Sequence, residues 1–417
     1  MKKFLTWLTM VALFVVLVVG GTVGFLYSRT TAASLPAQGA SFAGQTLTVN
    51  GYSWGVPVLG GVVWRTFQQS VTADVQDLGT IDQVTPAVVL AEGLDPEGSF
   101  LVLTAADGTQ VYNGPVSGLA SVRLPANGDY QGLLTAGRVM GGKPAKPAGF
   151  YRYRFRFTLA AQPTLTLSDD TITRGEVCAI YISNILDAGA APSIDCELGS
   201  VWLAPVEGGW LGFIPAAYNA EAGDHALTVT VGSFVLEDTV TVQHRDFAKV
   251  YTTGAETDEP AGASTEFREK IWPLYTTGAG EIRWNGAFAQ PVEGDVSLDF
   301  GVFEYKNGSQ QAVRSTGVEW AAAEGAQVVS PAAGTVAFAG KLLLTGNTVV
   351  IDHGCGVKSY LYRLGSLTVE TGAAVERGAA VGTAGSEALK YELKIGNKSI
   401  DPWMAIRGQG GLFYNPA

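Results

Sequence analysis

The side chains best suited to metal binding, nucleophilic attack or acid–base catalysis are scarce in this chain of 417 residues. It contains three histidines and three cysteines. A catalytic cysteine needs a base that takes its proton, and Cys355 has only His353 near it in sequence. We therefore expect no catalytic role for Cys355 and interpret His353 as a hydrogen-bonded structural residue at a strand end. His225 and His244 lie in an earlier β-rich segment, and we give them the same interpretation.

The composition predicts folded domains. Hydrophobic residues make up 47% of the chain and charged residues 16%, which is typical of globular proteins with a large core. At about 100–200 residues per domain, the length predicts two to four domains. The net charge of −11 argues against a nucleic-acid partner, because binding to phosphates requires a basic face.

The N-terminus predicts a membrane anchor. Lys2 and Lys3 precede a nearly uninterrupted apolar run over residues 4–27. A helix of about 20 such residues crosses the hydrocarbon layer, whereas the apolar part of a cleaved signal peptide is usually about 7–15 residues long. We predict an uncleaved transmembrane helix over residues 1–28, with cleavage after the small residues 31–33 as the alternative. Lys2 and Lys3 would stay in the cytoplasm, so we expect a single-pass cell-membrane protein whose bulk is extracytoplasmic.

Short β-like runs separated by turn residues follow the anchor. We predict a spacer over residues 29–44, because small and polar residues dominate there. Residues 45–160 are predicted to form a β-sandwich-like domain, in which residues 151–157 alternate as a strand with one buried face. The strand spacing over residues 161–246 predicts an immunoglobulin-like β domain. Cys178 and Cys196 both fall in this second domain. They form either a disulfide, in an oxidising compartment, or two small buried thiols.

Residues 247–286 are predicted to be a connector. Within it, residues 265–272 predict a short helix that ends before Pro273, because proline cannot continue a helix.

The C-terminal part, residues 287–410, carries a series of motifs in a fixed order. The segments are 287–291, 296–301, 324–336, 346–354, 369–382 and 401–403. Together they resemble the LytM peptidoglycan endopeptidase domain of the M23 peptidase family over nearly its whole length. With the preceding segments, this resemblance predicts a mainly β protein: an N-terminal transmembrane helix, two β-sandwich-like domains and a C-terminal M23/LytM-like β domain.

The family's site residues are replaced here. By resemblance, the family binds zinc through the His and Asp of a His-x-Gly-x-Asp motif and the second His of a His-x-His motif. Two further histidines, one in Tyr-x-His and one opening His-x-His, assist the attacking water. In this sequence the corresponding positions are Ser315, Glu319, Arg363, Ala388 and Lys390. We therefore predict a degenerate site without catalytic residues, metal ligands or a zinc cofactor.

Three of these positions carry charges that suggest a substitute for the metal. We hypothesise that Glu319, Arg363 and Lys390 converge and pair, with the cations replacing the charge of the metal. The alternative is that all three side chains point to solvent.

The resemblance implies a non-catalytic role in the cell envelope. We expect a pseudo-peptidase that binds peptidoglycan, or that scaffolds or activates a wall hydrolase or envelope complex. One alternative is an active cell-wall metallopeptidase with an unrecognised site. Another is a purely structural C-terminal domain, with partner binding in the two sandwiches.

Overall fold

A computed structural model describes residues 2–138, 145–186, 191–253 and 259–416. The chain divides into two compact units. The first contains residues 1–162 and 186–188, and the second contains residues 163–185 and 189–417.

The first unit begins with the predicted apolar helix, α1, which spans Lys2–Arg29. Within the described residues, α1 is the one helix that is long and apolar enough to cross a membrane, with a mean hydropathy of 2.4. At 1.5 Å per residue it extends for about 42 Å, more than the thickness of the hydrocarbon layer.

Ten strands follow among the residues of the first unit that the structure describes. They are β1 (Ala40–Phe42), β2 (Gln45–Thr46), β3 (Gly51–Val58), β4 (Val63–Gln69), β5 (Gln76–Ile81), β6 (Val88–Leu90), β7 (Phe100–Ala105), β8 (Gln110–Pro115), β9 (Gly128–Arg138) and β10 (Ala148–Leu159). A small sheet has the order β2-β1-β6. A larger one has the order β4-β3-β10-β9-β7-β8, and β5 pairs with β10.

The alternation predicted for residues 151–157 is confirmed in β10. Tyr151, Tyr153, Phe155 and Phe157 are buried. Of the arginines between them, Arg154 and Arg156 are exposed and Arg152 is half-buried. Strand β1 begins inside the segment that we predicted to be a spacer. Its Phe42 is fully buried, with its ring centroid 4.8 Å from that of Phe155. The buried side chain of Phe42 thus anchors a segment of small and polar residues on the core of the first unit.

The second unit opens with two four-stranded sheets that pack on a shared core. Their strands are β11 (Thr164–Leu167), β12 (Thr171–Thr173), β13 (Val177–Ser183), β14 (Ser193–Cys196), β15 (Leu203–Val206), β16 (Gly209–Pro215), β17 (Gly223–Val231) and β18 (Phe234–Gln243). The sheet orders are β11-β13-β16-β15 and β12-β18-β17-β14. Cys178 lies in the first sheet and Cys196 in the second, and both are free thiols in this structure. The Cys178 thiol instead donates to the carbonyl oxygen of Asp169 at 3.0 Å.

The connector contains strand β19 (Lys249–Thr252) and helix α2 (Ala263–Ile271). The predicted helix before Pro273 is therefore present. A single 3-10 turn, Trp272–Tyr275, follows it directly.

The C-terminal region is built on a ten-stranded sheet. Its elements, together with those of a small neighbouring sheet, are β20 (Asp295–Leu298), β21 (Phe303–Lys306), β22 (Val313–Arg314), β23 (Val318–Ala321), β24 (Gln327–Val329), β25 (Gly334–Leu342), β26 (Gly346–Gly354), β27 (Val357–Leu367), β28 (Ala374–Val375), β29 (Ala380–Ala384), β30 (Leu389–Ile395), β31 (Lys398–Ile400) and helix α3 (Pro402–Ile406). The main path runs β20-β23-β30-β27-β26-β25-β28, and the small sheet has the order β19-β21-β22.

The two β regions of the second unit share one hydrophobic core. Trp202 packs over Gly356 and Gly396, where an added Cβ would lie 2.3 Å and 2.7 Å from the indole ring. Both glycines have positive φ, 76° and 57°, so the backbone itself also favours glycine there. An ion pair of 2.8 Å between Arg245 and Asp401 joins the same two regions.

Candidate functional site

The predicted site positions lie on three adjacent strands of the C-terminal sheet. Glu319 on β23 is the register partner of Lys390 on β30, which in turn pairs with Tyr362 on β27. Register partners point to the same side of a sheet, so these three side chains share one face. Their neighbours Tyr391 and Leu361 point to the opposite face and are fully buried in the core.

Arg363 neutralises Glu319. Its Nη1 atom lies 2.9 Å from Oε2 of Glu319 and 3.4 Å from the carbonyl oxygen of Ala388. Arg363 has a φ of 63°, and the pairing between β26 and β27 shifts register at this point. Such a bulge re-aims a side chain. The guanidinium therefore sits beside the carboxylate that we predicted at a metal-ligand position.

Lys390 belongs to a second charged cluster. Among the residues that the structure describes, it forms its ion pair with Glu392, at 2.9 Å, rather than with Glu319. Lys394 approaches the other carboxylate oxygen of Glu392 at 2.8 Å and donates to Ser399 at 2.7 Å. The hypothesised convergence is therefore present for Glu319 and Arg363, whereas the ammonium of Lys390 is directed to a different carboxylate.

The carboxylate of Glu392 is buried yet stays ionised. Burial alone would raise its pKa, but the ammonium groups of Lys394 and Lys390 outweigh that effect and hold the pKa well below its ordinary value. The hydroxyl of Thr316 also donates to it. Sequence reasoning missed Glu392. The alternation of Lys390, Glu392 and Lys394 along one strand was the available signal, because residues two apart share a face.

Ser315 and Ala388 add no metal-binding group. The Ser315 hydroxyl is buried and donates to the carbonyl oxygen of Gly317 at 2.7 Å. The side chain of Ala388 is a methyl group. The structure thus brings together Glu319, Arg363, Ala388 and Lys390. The side chain of Ser315 instead forms a hydrogen bond within its own loop.

These residues do not fit a zinc ion. A zinc site needs three or four ligands from Cys, His, Asp and Glu. Here a guanidinium holds Glu319, and the ammonium of Lys390 would repel a cation. No group of three or more potential ligands of these types occurs within the ranges that the structure describes.

His353 and Cys355 are both buried and engaged. His353 Nδ1 lies 2.8 Å from the carbonyl oxygen of Ala333, and Nε2 lies 2.8 Å from Oγ of Ser359. Burial lowers the pKa of His353 to about 4, so the ring is neutral at pH 7. The Cys355 thiol donates to the carbonyl oxygen of Trp202 at 3.2 Å, and burial raises its pKa to about 12. A neutral thiol without a hydrogen bond to a base is a poor nucleophile.

The remaining two histidines are also hydrogen-bonded. His225 Nε2 lies 2.9 Å from the carbonyl oxygen of Glu221. His244 lies between Arg174, at 2.8 Å, and Asp246, at 3.0 Å.

The neutral state of His353 predicts a pH-dependent stability. Its pKa is about 4 when folded and about 6.5 when unfolded, so the unfolded chain binds more protons between these values. Stability is therefore lost as the pH falls from 7 to 5, by about 2 kcal/mol from this residue. We expect His353→Gln to flatten that slope in denaturant titrations of the second unit. An unchanged slope would contradict the assignment. Glu392 contributes little to this slope, because its effect on stability changes with pH only below its unfolded pKa of about 4.5.

The connector covers the same face of the sheet, next to the charged clusters. Ile271 at the end of α2 is fully buried in a cluster with Val350, Tyr360 and Tyr362. The ring of Phe267 on α2 lies 6.4 Å from that of Tyr362. The ring of Tyr275, in the turn after α2, lies 6.1 Å from that of Tyr360, between centroids.

Polar contacts fix the chain that follows α2. Lys358 is almost fully buried and donates to the carbonyl oxygen of Thr277. Asp352 accepts from the backbone N–H of Ala279 at 2.8 Å. At the other end of the cover, Glu266 accepts from the backbone N–H of Leu343 at 2.7 Å. The connector is therefore an integral layer on this face.

Comparisons with known proteins agree with the motif order. Residues 313–402 match the model of Peptidase family M23, a segment that contains all five predicted site positions. The cell division protein DipM of Caulobacter vibrioides is 35% identical over 168 residues, which cover 37% of this chain and 25% of that protein. The chain thus spans about a quarter of the length of this curated relative.

Two solved structures align with parts of this chain. A peptidase M23 structure from Pseudomonas aeruginosa aligns with 57% of this chain and 95% of its own, with 20% identity and a TM-score of 0.44. Helicobacter pylori Csd3 aligns with 77% of this chain and 65% of its own, with 11% identity and a TM-score of 0.28. The family match and the order of the motifs together identify the C-terminal part of this chain as a peptidase family M23 domain.

Proposed function

We propose that this chain is a membrane-anchored envelope protein whose M23 domain is not a peptidase. In this proposal the domain binds peptidoglycan or an envelope protein, and it scaffolds or activates a wall hydrolase or envelope complex. Helix α1 crosses the membrane with Lys2 and Lys3 in the cytoplasm, so that the β domains lie outside.

The residues at the positions of the family's zinc ligands are the main support for this proposal. Zinc peptidases use the metal to lower the pKa of bound water to about 7. Here the one carboxylate at a predicted ligand position, Glu319, is bound by Arg363. Lys390 is engaged with Glu392. The positions of the family's two water-assisting histidines, Arg363 on β27 and Ala388 just before β30, carry no base. Nothing at these positions is suited to take a proton from water at neutral pH.

The covered sheet face supports the same conclusion. A substrate peptide would have to approach the charged clusters across strands β27 and β30. Helix α2 and Tyr275 already pack on the tyrosines of β27. We therefore place the partner-binding surface outside the area covered by residues 263–279.

Co-sedimentation of the full chain with purified insoluble peptidoglycan tests the binding half of the proposal. We expect the intact chain, in detergent micelles, to sediment with peptidoglycan and to be displaced by soluble wall fragments. Absence of sedimentation would exclude peptidoglycan and leave an envelope protein as the partner. Removal of residues 287–417 is not a clean control, because it would expose Val177 and Phe213 of the shared core. Heat-unfolded chain is the better control for nonspecific adsorption.

A further inference from the structure

The hairpin of β3 and β4 ends in an unusual exposed tip. Its loop, residues 59–62, contains two glycines between Leu59, which is 44% exposed, and Val62, which is 76% exposed. The stretch from Gly51 to Trp64 carries no charged side chain. Leu59 and Val62 thus place exposed apolar surface at the tip of the hairpin.

This hairpin is held against the end of α1. Arg65 on β4 donates to the carbonyl oxygens of Tyr27, Ser28 and Thr30, at 2.5, 3.3 and 2.7 Å. Its guanidinium also lies 5.0 Å from the centroid of the Tyr27 ring. A cation that binds the last carbonyls of a helix stabilises its C-terminus. The hairpin is thereby fixed to the outer end of the apolar helix.

A second contact joins the hairpin to the helix. Strand β3, which runs toward the tip, contacts α1. Val23 and Leu26 are half-buried, whereas the residues between them are exposed. Val23 lies about 6 Å deeper along the helix than Tyr27. Val62, directly before β4, lies about 10 Å from Arg65 along the chain.

We infer that the tip of the β3–β4 hairpin inserts into the outer surface of the lipid bilayer beside α1. This inference rests on the proposed function, because it takes α1 as a membrane-spanning helix. Pairing with β3 satisfies the backbone polar groups on the inner side of β4, which reduces the number that must be solvated at the membrane surface. Trp64 at the base of the tip and Tyr27 on the helix are the aromatic types enriched at the membrane interface. The bilayer thus matches both the apolar tip and its aromatic border.

Spin-label accessibility in the full chain tests this inference. The chain is reconstituted in vesicles of phosphatidylcholine and phosphatidylglycerol, with Cys196→Ser to remove the half-buried thiol. A nitroxide is attached at Val62→Cys. The matched control is Phe100→Cys, whose native side chain is 52% exposed. Phe100 lies three strands from β3 and level with Gly51, the end of β3 away from the tip.

We expect the label at position 62 to meet dissolved oxygen several-fold more readily than a water-soluble nickel complex. The label at position 100 should show the reverse preference. A water-like label at 62 would overturn the inference. A third label at Val15→Cys, in the middle of α1, separates the two failures. If the label at position 15 is lipid-exposed and the label at position 62 is water-exposed, only the inference about the hairpin fails. If both labels are water-exposed, the proposal that α1 anchors the chain in a membrane fails as well.

Discussion

Replacing Glu392 by alanine will destabilise the second unit by about 3–5 kcal/mol, because it leaves two ammonium groups without their shared partner. The side chain of Lys394 is only 8% exposed and that of Lys390 22%, so water cannot fully replace the carboxylate. Thr316 loses its acceptor at the same time. Denaturant titration at pH 7 measures the loss.

Glu387→Ala is the matched control for this prediction. Its carboxylate lies 3.8 Å from Arg363 and is 76% exposed. Exposed ion pairs of this kind contribute about 0–1 kcal/mol, so we expect almost no change. Equal effects of the two substitutions would show that the Glu392 cluster is not the buried network described above.

A second large effect is expected at the cover of the sheet face. Ile271→Asp places a carboxylate in an apolar cluster and should cost more than about 3 kcal/mol locally. We expect α2 and the turn after it to detach. Hydrogen exchange should then rise over residues 263–275, while strands β27 and β30 stay protected. Lys270→Asp puts the same residue on the exposed side of α2 and should leave the exchange pattern unchanged.

The detached variant also separates two reasons why the domain would bind no zinc. If the side chains at the predicted site are responsible, the variant will bind no zinc even with its sheet face open. Stoichiometric zinc in Ile271→Asp, but not in Lys270→Asp, would mean that the cover, rather than the residue types, keeps the metal out.

Local patterns in the sequence predicted the elements that depend on nearby residues. The apolar run of α1, the alternation of β10 and the helix before Pro273 all follow from periodicity or from a single helix-breaking residue. The M23 domain followed from the order of its motifs. Strand β1 was missed because its burial depends on contacts of Phe42 with β10, more than a hundred residues later.

The site was harder to predict for the same reason. The five positions followed from motif spacing, but their partners depend on register and backbone conformation. Arg363 has a positive φ, and its guanidinium pairs with Glu319. Lys390 and Glu392 are two residues apart on one strand, so their side chains share a face and pair with each other. The packing of α2 on Tyr360 and Tyr362 could not be predicted from nearby residues, because the sequence of a short amphipathic helix does not show which surface the helix covers.

The central claim, that this M23 domain does not hydrolyse peptidoglycan, is tested most directly by a cleavage assay. The full chain in detergent micelles is incubated with cross-linked peptidoglycan fragments and zinc, and the products are identified by mass spectrometry. We predict no peptide cleavage above the protein-free control. Cleaved cross-links that disappear on addition of a chelator would contradict this account and would require a metal site that the five predicted positions do not provide.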